Sequence, residues 1–345
     1  MDAVSLGFSA LAIVSILAVT GLISLVAKRF STGDWARTVL VAGVGGAIVS
    51  LACSLQLLTL PLLLVGPLAA LGALFATLAT SLVDSDSTPR RVVLASIATA
   101  VVFLPVAAAV FGTMFDPFGT KLGVVDLGGA LPTLVGGGTV ALGMTLFRRS
   151  PAIALPVRNR GWSMLVPAGL AWAGGVGWLV GLELAADDMV PIIVVSAILI
   201  PASAAIAASI VERLRFRRTT APGVVTGLLA GIAAAVPASA FVTPPLAVVI
   251  GLGVGAVSAV LPAGLRAWPA MPLAVGAAIS VVLLGAFGTN IGYLYTGQPE
   301  LILGQVVITL IAAVGGAAVG AAIGWIFRRW PSTERHARLS PTPPR

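Results

Sequence analysis

Side chains that transfer protons or bind metals are scarce in this sequence. There is one histidine, His336, in a polar C-terminal segment, and one cysteine, Cys53, inside an apolar run. The chain therefore cannot form an internal disulfide, a Cys/His metal site or a histidine-based catalytic triad within its apolar part. The motifs H-E-x-x-H, G-x-S-x-G and D-D-x-x-D do not occur either. We predict a protein that is not an enzyme and that has no cofactor.

Asp126 is the acidic residue with the most informative position, because it directly precedes a long apolar run. Its residue type and its position before a predicted helix indicate that Asp126 caps that helix. A carboxylate there accepts hydrogen bonds from the unpaired N–H groups of the first turn, and its charge suits the helix dipole. The only acidic pair, Asp187-Asp188, lies in a polar connection and is interpreted as a solvated loop.

The composition indicates what surrounds these residues. Of 345 residues, 58% are apolar and 9% are charged, and the mean hydropathy is +1.08. Soluble domains contain roughly 25% charged residues. So few charges cannot cover a surface that faces water, and lipid must surround most of the chain. The 40 glycines and 23 prolines fit this interpretation, because both residues are more frequent in membrane helices than in soluble ones.

Long apolar runs predict eleven transmembrane helices. About 20 apolar residues cross a bilayer core of roughly 30 Å. Two runs are about twice that length, and we divide them at 54–61 and at 237–245, where Gln56, Pro61, Pro237 and Pro244 interrupt the apolar pattern. The predicted spans are 6–27, 38–58, 60–83, 92–113, 127–147, 162–183, 190–211, 222–240, 242–263, 269–290 and 301–327.

Charge placement predicts the orientation. With the N-terminus outside and eleven spans, every Lys and Arg except Lys121 falls on the cytoplasmic side, as the positive-inside rule requires. We therefore predict a multi-pass protein of the cell membrane with a cytoplasmic C-terminus. The basic inner face needs only this rule and contact with anionic membrane lipid to explain it, so no nucleic-acid partner is predicted.

The longest basic, proline-containing connection divides the chain. Five spans precede it, and five is odd, so two such halves in tandem would have opposite orientations and enclose a path near the membrane midplane. The predicted units are a first half (1–147), a cytoplasmic linker (148–161), a second half (162–290), an eleventh helix (291–330) and a disordered cytoplasmic tail (331–345).

Four segments, taken in order, resemble motifs of the ammonium transporter (Amt/Rh) family. They are 103–111, 123–129, 170–181 and 223–252, of which the last is the most specific because its small residues, prolines and aromatic residue fall at matching offsets. The matching motif positions are Pro105, Gly128, Gly129, Gly174, Gly177, Gly227, Gly231, Pro237 and Phe241. The resemblance covers about residues 90–263, and outside that range the match rests mainly on the number of spans.

This resemblance implies an all-helical membrane fold of two inverted five-helix halves plus a final long helix, assembled as a homotrimer. It also implies a path for a small solute between the halves. By resemblance, the residues of that path are Asp126, Leu134, Leu273, Ala109, Trp172 and Trp178. In the family the residue matching Asp126 is needed for transport, and this role is compatible with a helix cap.

The departures from the family matter as much as the matches. Leu134 and Leu273 stand where the family has two facing histidines, and Ala109 stands where it has a tryptophan of the outer cation site. The pair of phenylalanines that gates the family's outer vestibule is not evident near residues 66–70. Leucine can neither hydrogen-bond ammonia nor relay a proton, so a path here would pass a neutral species.

Two alternatives to ammonia conduction remain open. The chain could be a non-conducting sensor or assembly partner on the same scaffold, or a passive channel for another uncharged solute. Each path residue also has a structural interpretation: helix packing or lipid contact for Leu134, and packing or an interfacial aromatic belt for Trp172 and Trp178. Trp172 and Trp178 lie six residues apart, so they are not expected to share one helix face.

Overall fold

The fold was analysed in a computed structural model, which describes residues 2–27, 32–58, 60–82, 88–111, 123–146, 161–266 and 268–327. Within these ranges every long element is a helix and no strand occurs. The predicted linker, apart from residue 161, and the predicted tail lie outside the described residues. The chain is an all-helical, multi-span membrane protein.

Eleven apolar helices account for most of the described residues. We number them in chain order as α1 (Ala3–Ala27), α2 (Thr32–Ser54), α3 (Leu62–Ala79), α4 (Thr88–Phe111), α5 (Leu131–Thr145), α6 (Leu165–Glu183), α7 (Met189–Phe216), α8 (Ala221–Ala238), α9 (Pro244–Val260), α10 (Ala270–Phe287) and α11 (Glu300–Phe327). Nine of these described helices are long and apolar enough to span a bilayer, and α5 and α9 are shorter. The count of eleven spans therefore stays a prediction.

The helix breaks lie where the sequence interrupts its apolar runs. Between α2 and α3, Gln56 has a left-handed φ of 58°, and Pro61 precedes the first residue of α3. Between α8 and α9, the helix ends at Ala238 and restarts at Pro244. Proline is favoured at the first position of a helix, because its missing N–H would have no partner there.

α5 begins later than predicted. The predicted span starts at residue 127, whereas the described helix starts at Leu131 after a turn through Gly128 and Gly129. Gly129 has a φ of +73°, a conformation that other residues rarely adopt. At 15 residues and about 1.5 Å per residue, α5 is shorter than the bilayer core is thick.

Small residues let the helices approach closely. A Cβ on Gly143 of α5 would collide with the backbone of Ala317 of α11, and one on Gly276 of α10 would collide with Ala230 of α8. Four motif glycines identified in the sequence have this packing role. Gly174 and Gly177 face Val19 and Ser15 of α1, while Gly227 and Gly231 face Ala208 and Pro201 of α7.

The helices form one continuous core in which the two predicted halves meet. α3 and α5 of the first half pack on each other, and α5 packs on α10 of the second half, with α11 along its other side. α1 packs along α6, a second contact between the halves. One buried cluster of side chains runs through all of these helices. The meeting of α3, α5 and α10 positions the candidate site.

Candidate functional site

Asp126 lies in the turn that leads into α5, and its carboxylate is buried, with 6% of the residue exposed. The backbone N–H of Ala130 donates to Oδ1 at 2.8 Å, and that of Leu131 donates to Oδ2 at 2.7 Å. The first N–H groups of a helix have no partner within the helix, so both oxygens satisfy donors that would otherwise be buried without one. This geometry is that of a helix cap.

The turn that carries Asp126 is inserted between helices of both halves. A Cβ on Gly128 would lie 2.5 Å from Val236 of α8 and 3.1 Å from Leu179 of α6. A Cβ on Gly129 would lie 2.7 Å from Leu71 of α3 and 3.3 Å from Phe111 at the end of α4. Only glycine leaves room for this insertion, and it places the Asp126 turn at the contact between the halves.

Gln305 of α11 holds the same turn from the other side. Its side-chain amide donates to the carbonyl oxygen of Val125 at 2.7 Å, and the residue is fully buried. Sequence analysis alone did not assign Gln305 to the site. The available signal was an amide within the first turns of a long apolar helix, where a polar group needs a partner on another helix.

Replacing Gln305 with leucine is expected to destabilise the protein by about 1–2 kcal/mol. The change removes the donor to the partly buried Val125 carbonyl, and a lost hydrogen bond at such a position costs that much. Thermal unfolding in detergent measures the effect. The control is Gln298→Leu, because Gln298 is exposed in the segment before α11. Equal unfolding temperatures for the Gln305 variant and the unmodified protein would contradict this role.

Leu134 and Leu273 lie on segments that the structure brings together. Leu134 is in the first turn of α5 and Leu273 in the first turn of α10, and each is 1% exposed. One turn beyond Leu134, a Cβ on Gly138 would be 2.6 Å from Cβ of Ala274 and 2.7 Å from the carbonyl oxygen of Ala270. The contact between the middle of α5 and the start of α10 is therefore closely packed and apolar.

The two tryptophans of α6 face different ways, as their spacing predicts. Trp178 is buried, with 1% of the residue exposed, and its indole N–H has no hydrogen-bond partner. Trp172 is half-buried, and its indole N–H donates to the carbonyl oxygen of Ala197 on α7 at 2.9 Å. Trp172 thus joins two helices of the second half, whereas Trp178 lies in the buried core.

The remaining motif residues contribute no polar side chain to the site. Ala109 is half-buried near the end of α4. Pro105, exposed on the same helix, follows a π-helical turn, Thr99–Phe103. Pro237 is buried inside α8, and the carbonyl of Phe241 accepts the backbone N–H of Thr289 at 2.7 Å. This last bond ties the ends of α8 and α10 together.

A cavity of about 40 Å³ lies at the opposite end of the α3–α5–α10 contact. It is lined by Leu78 of α3, Arg91 of α4 and Ala270 of α10, among others. Leu78 and Ala270 are also neighbours of α5, at Gly137 and Gly138 respectively. The contact between the halves thus runs from the Asp126 turn, past Leu134 and Leu273, to this cavity, which we call the Arg91 cavity.

The described residues offer no metal site, since they hold no group of three or more His, Cys, Asp or Glu side chains able to bind an ion. The arrangement instead consists of one buried carboxylate at one end, an apolar contact in the middle and a small cavity at the other end. We call this series of residues, from Asp126 to the Arg91 cavity, the route. A hydrated ion would lose its water in the apolar middle at a cost of several kcal/mol or more.

The fold of this multi-span membrane protein is that of Mep2 and Amt proteins. Mep2 of Saccharomyces cerevisiae superimposes with a TM-score of 0.80 over 96% of this chain and 89% of its own, at 18% identity. A structure described as "Sensor Amt Protein" gives a TM-score of 0.74 over 98% of this chain and 93% of its own, at 17% identity. At these identities the structures establish the fold alone.

Two relatives extend the similarity to sequence. Ammonium transporter Amt1 of Archaeoglobus fulgidus is 28% identical over 230 residues, 59% of this chain. A putative ammonium transporter of Methanothermobacter thermautotrophicus is 30% identical over 155 residues, 44% of this chain. The chain spans 58% and 37% of the lengths of these relatives, and no family model matches it. The resemblance to ammonium transporters predicted from the sequence is thus confirmed, in fold and in partial sequence.

Proposed function

We propose that this chain is a divergent ammonium transporter that passes ammonia, the neutral species, across the cell membrane. The observation that carries the proposal is the Asp126 turn. A buried carboxylate caps α5 at the contact between the two halves, in the motif that resembles the ammonium transporters. The sequence similarity to Amt1 of Archaeoglobus fulgidus, named as an ammonium transporter, supports the same solute.

The apolar middle of the route supports a neutral solute. Leu134 and Leu273 are both buried, and neither side chain can bind or relay a proton. Moving an ammonium ion through such a contact carries the desolvation cost of a charge, whereas ammonia has none to desolvate. Ammonium therefore releases its proton to water on the outer side of the leucines, and ammonia takes up a proton from water on the cytoplasmic side.

The proposal includes a membrane orientation, two inverted halves and a trimeric assembly. The N-terminus and the Asp126 turn lie on the outer side of the membrane, as the charge distribution favours. The C-terminus lies in the cytoplasm, and the Arg91 cavity lies at the cytoplasmic end of the α3–α5–α10 contact. Residues 1–147 and 162–290 form inverted halves, and α11 packs along α5 outside the pair. The chain assembles as a homotrimer in the membrane, so each protomer has its own route.

Stopped-flow measurement of internal pH in proteoliposomes tests the proposal. Vesicles containing the protein and a pH-sensitive dye are mixed with an ammonium salt, and ammonia entry raises the internal pH. We expect faster alkalinisation than in empty vesicles of the same lipid. The comparison variant is Gly138→Leu, whose side chain would collide with Ala270 and Ala274 and disrupt the α5–α10 contact, so it should lose the added rate. Equal rates with and without folded protein would overturn the proposal.

A non-conducting sensor is the second candidate function. The observation that favours it is the close packing around Leu134 and Leu273, which leaves each 1% exposed. The fold similarity to a structure described as a sensor Amt protein is consistent with this role. In the same stopped-flow experiment a sensor gives no flux above empty vesicles. A sensor also binds its solute, and a shift of the unfolding temperature by ammonium salts at constant ionic strength would detect this.

A further inference from the structure

Thr133, the residue before Leu134, has a buried hydroxyl without a hydrogen-bond partner. Threonines inside helices usually donate to the carbonyl four residues back, as Thr139 and Thr20 do here, both at 2.8 Å. The corresponding carbonyl for Thr133 is that of Gly129, which accepts the backbone N–H of Thr133 at 3.2 Å but not its hydroxyl. A buried hydroxyl without a partner is free to bond a water molecule or a small ligand.

The local helix geometry explains why the Thr133 hydroxyl has no hydrogen-bond partner within its own helix. Leu131–Val135 form a π-helical turn, in which hydrogen bonds run between residues five apart, and Pro132 within it has no N–H to donate. The other π-helical turn among the described residues, Thr99–Phe103, leaves the Thr99 hydroxyl without a partner in the same way. Single π-helical turns inside α-helices occur frequently at functional sites.

The π turn also determines the direction of Thr133. The residues one turn further along are Gly137 by α-helical spacing and Gly138 by π-helical spacing. A Cβ on Gly137 would lie 3.2 Å from Leu78 of α3, and a Cβ on Gly138 would lie 2.6 Å from Ala274 of α10. Thr133 therefore lies on the face of α5 that is turned toward α3 and α10, where the two halves meet.

The Arg91 cavity shares two neighbouring residues with this face of α5, although its lining includes no residue of α5 itself. Leu78 and Ala270, the neighbours of Gly137 and Gly138, both line that cavity. Its volume of about 40 Å³ exceeds what one water molecule needs. A small molecule in the cavity thus borders the same two residues that contact the turn of α5 after Thr133.

We propose that the Thr133 hydroxyl is the hydrogen-bonding position of the route, in place of the histidine pair. The inference rests on the proposed function and names a property of its solute. The solute is a small neutral molecule with a lone pair and an N–H or O–H bond, such as ammonia, because a hydroxyl both donates and accepts. A threonine hydroxyl does not take up a proton near neutral pH, so this position binds the solute without relaying charge.

The test compares Thr133→Val with Thr133→Ser in the proteoliposome flux assay. Valine keeps the shape and removes the hydroxyl, and we expect roughly tenfold slower ammonia entry, the effect of about one hydrogen bond. Serine keeps the hydroxyl, and we expect flux within about twofold of the unmodified protein on the same grounds. The control is Thr139→Val on the same helix, whose hydroxyl bonds to helix carbonyls and faces α11, and which should leave flux unchanged.

Thermal unfolding separates binding from a structural role. Removing a buried hydroxyl that has no partner should leave the unfolding temperature of Thr133→Val unchanged or raise it. A lower unfolding temperature together with slower flux would mean that Thr133 supports the fold, and would overturn the inference. Flux in Thr133→Val equal to that of a conducting unmodified protein would also overturn it, while leaving the proposed function intact. No flux in the unmodified protein would overturn both.

Discussion

Replacing Asp126 with alanine is expected to reduce ammonia flux more than tenfold and to lower the free energy of unfolding by about 2 kcal/mol or more. The change removes the acceptors of two backbone N–H groups that remain buried at the start of α5. The turn through Gly128 and Gly129 then loses the bonds that hold it between the halves. Flux is measured by stopped-flow alkalinisation, and stability by thermal unfolding of the same preparations.

The matched control for this prediction is Asp187→Ala. Asp187 also accepts a backbone N–H at a helix start, that of Met189 at 3.0 Å, but it is exposed. Loss of that bond to water should change stability by less than about 1 kcal/mol and leave flux unchanged. A second variant, Asp126→Asn, keeps one carbonyl oxygen as acceptor. Its flux and its free energy of unfolding should lie between those of Asp126→Ala and those of the unmodified protein. Normal flux in Asp126→Ala would show that the buried carboxylate has no part in transport.

The double replacement Leu134→His and Leu273→His is expected to produce an ammonium-dependent membrane current that the unmodified protein lacks. Two imidazoles, one on α5 and one on α10, can accept, hold and pass a proton, which two leucines cannot. The current is measured on a solid-supported membrane after a jump in ammonium concentration. Stability should fall, because both positions are buried among apolar groups.

The two single variants are the controls for the double replacement. One histidine alone has no second imidazole to receive the proton, so each single variant should give no current. If the folded double variant also gives no current and its ammonia flux is unchanged, then positions 134 and 273 do not face a shared route. That result would mean that Leu134 and Leu273 have no part in the proposed mechanism.

Much of the fold was predictable from the sequence because lipid imposes strong patterns. Apolar runs of bilayer length predicted a helix at the place of each of the eleven long helices, although the bounds differ by up to six residues, as for α2, predicted at 38–58 and described at Thr32–Ser54. The breaks at Gln56 and Pro244 were visible as interruptions in long runs. The start of α5 was predicted four residues too early. Hydropathy alone does not distinguish an apolar turn from an apolar helix, and the turn at Gly129 depends on contacts with Leu71 and Phe111.

The candidate site was less predictable, for a physical reason. The capping geometry of Asp126 follows from local sequence, since the residue precedes the helix whose N–H groups it accepts. The role of Gln305 depends on Val125, which is 180 residues away in the chain, and no periodicity records that contact. Thr133 was missed because a π turn is a matter of hydrogen-bond register, whereas the sequence shows only a threonine in an apolar run.

The most direct test of the proposed mechanism is the charge moved per ammonia molecule. Flux and current are recorded on proteoliposomes from one preparation, the first by internal alkalinisation and the second on a solid-supported membrane. The apolar contact between α5 and α10, which carry Leu134 and Leu273, predicts ammonia flux above that of empty vesicles with no sustained current. A current that corresponds to one positive charge per molecule taken up would contradict passage of the neutral species.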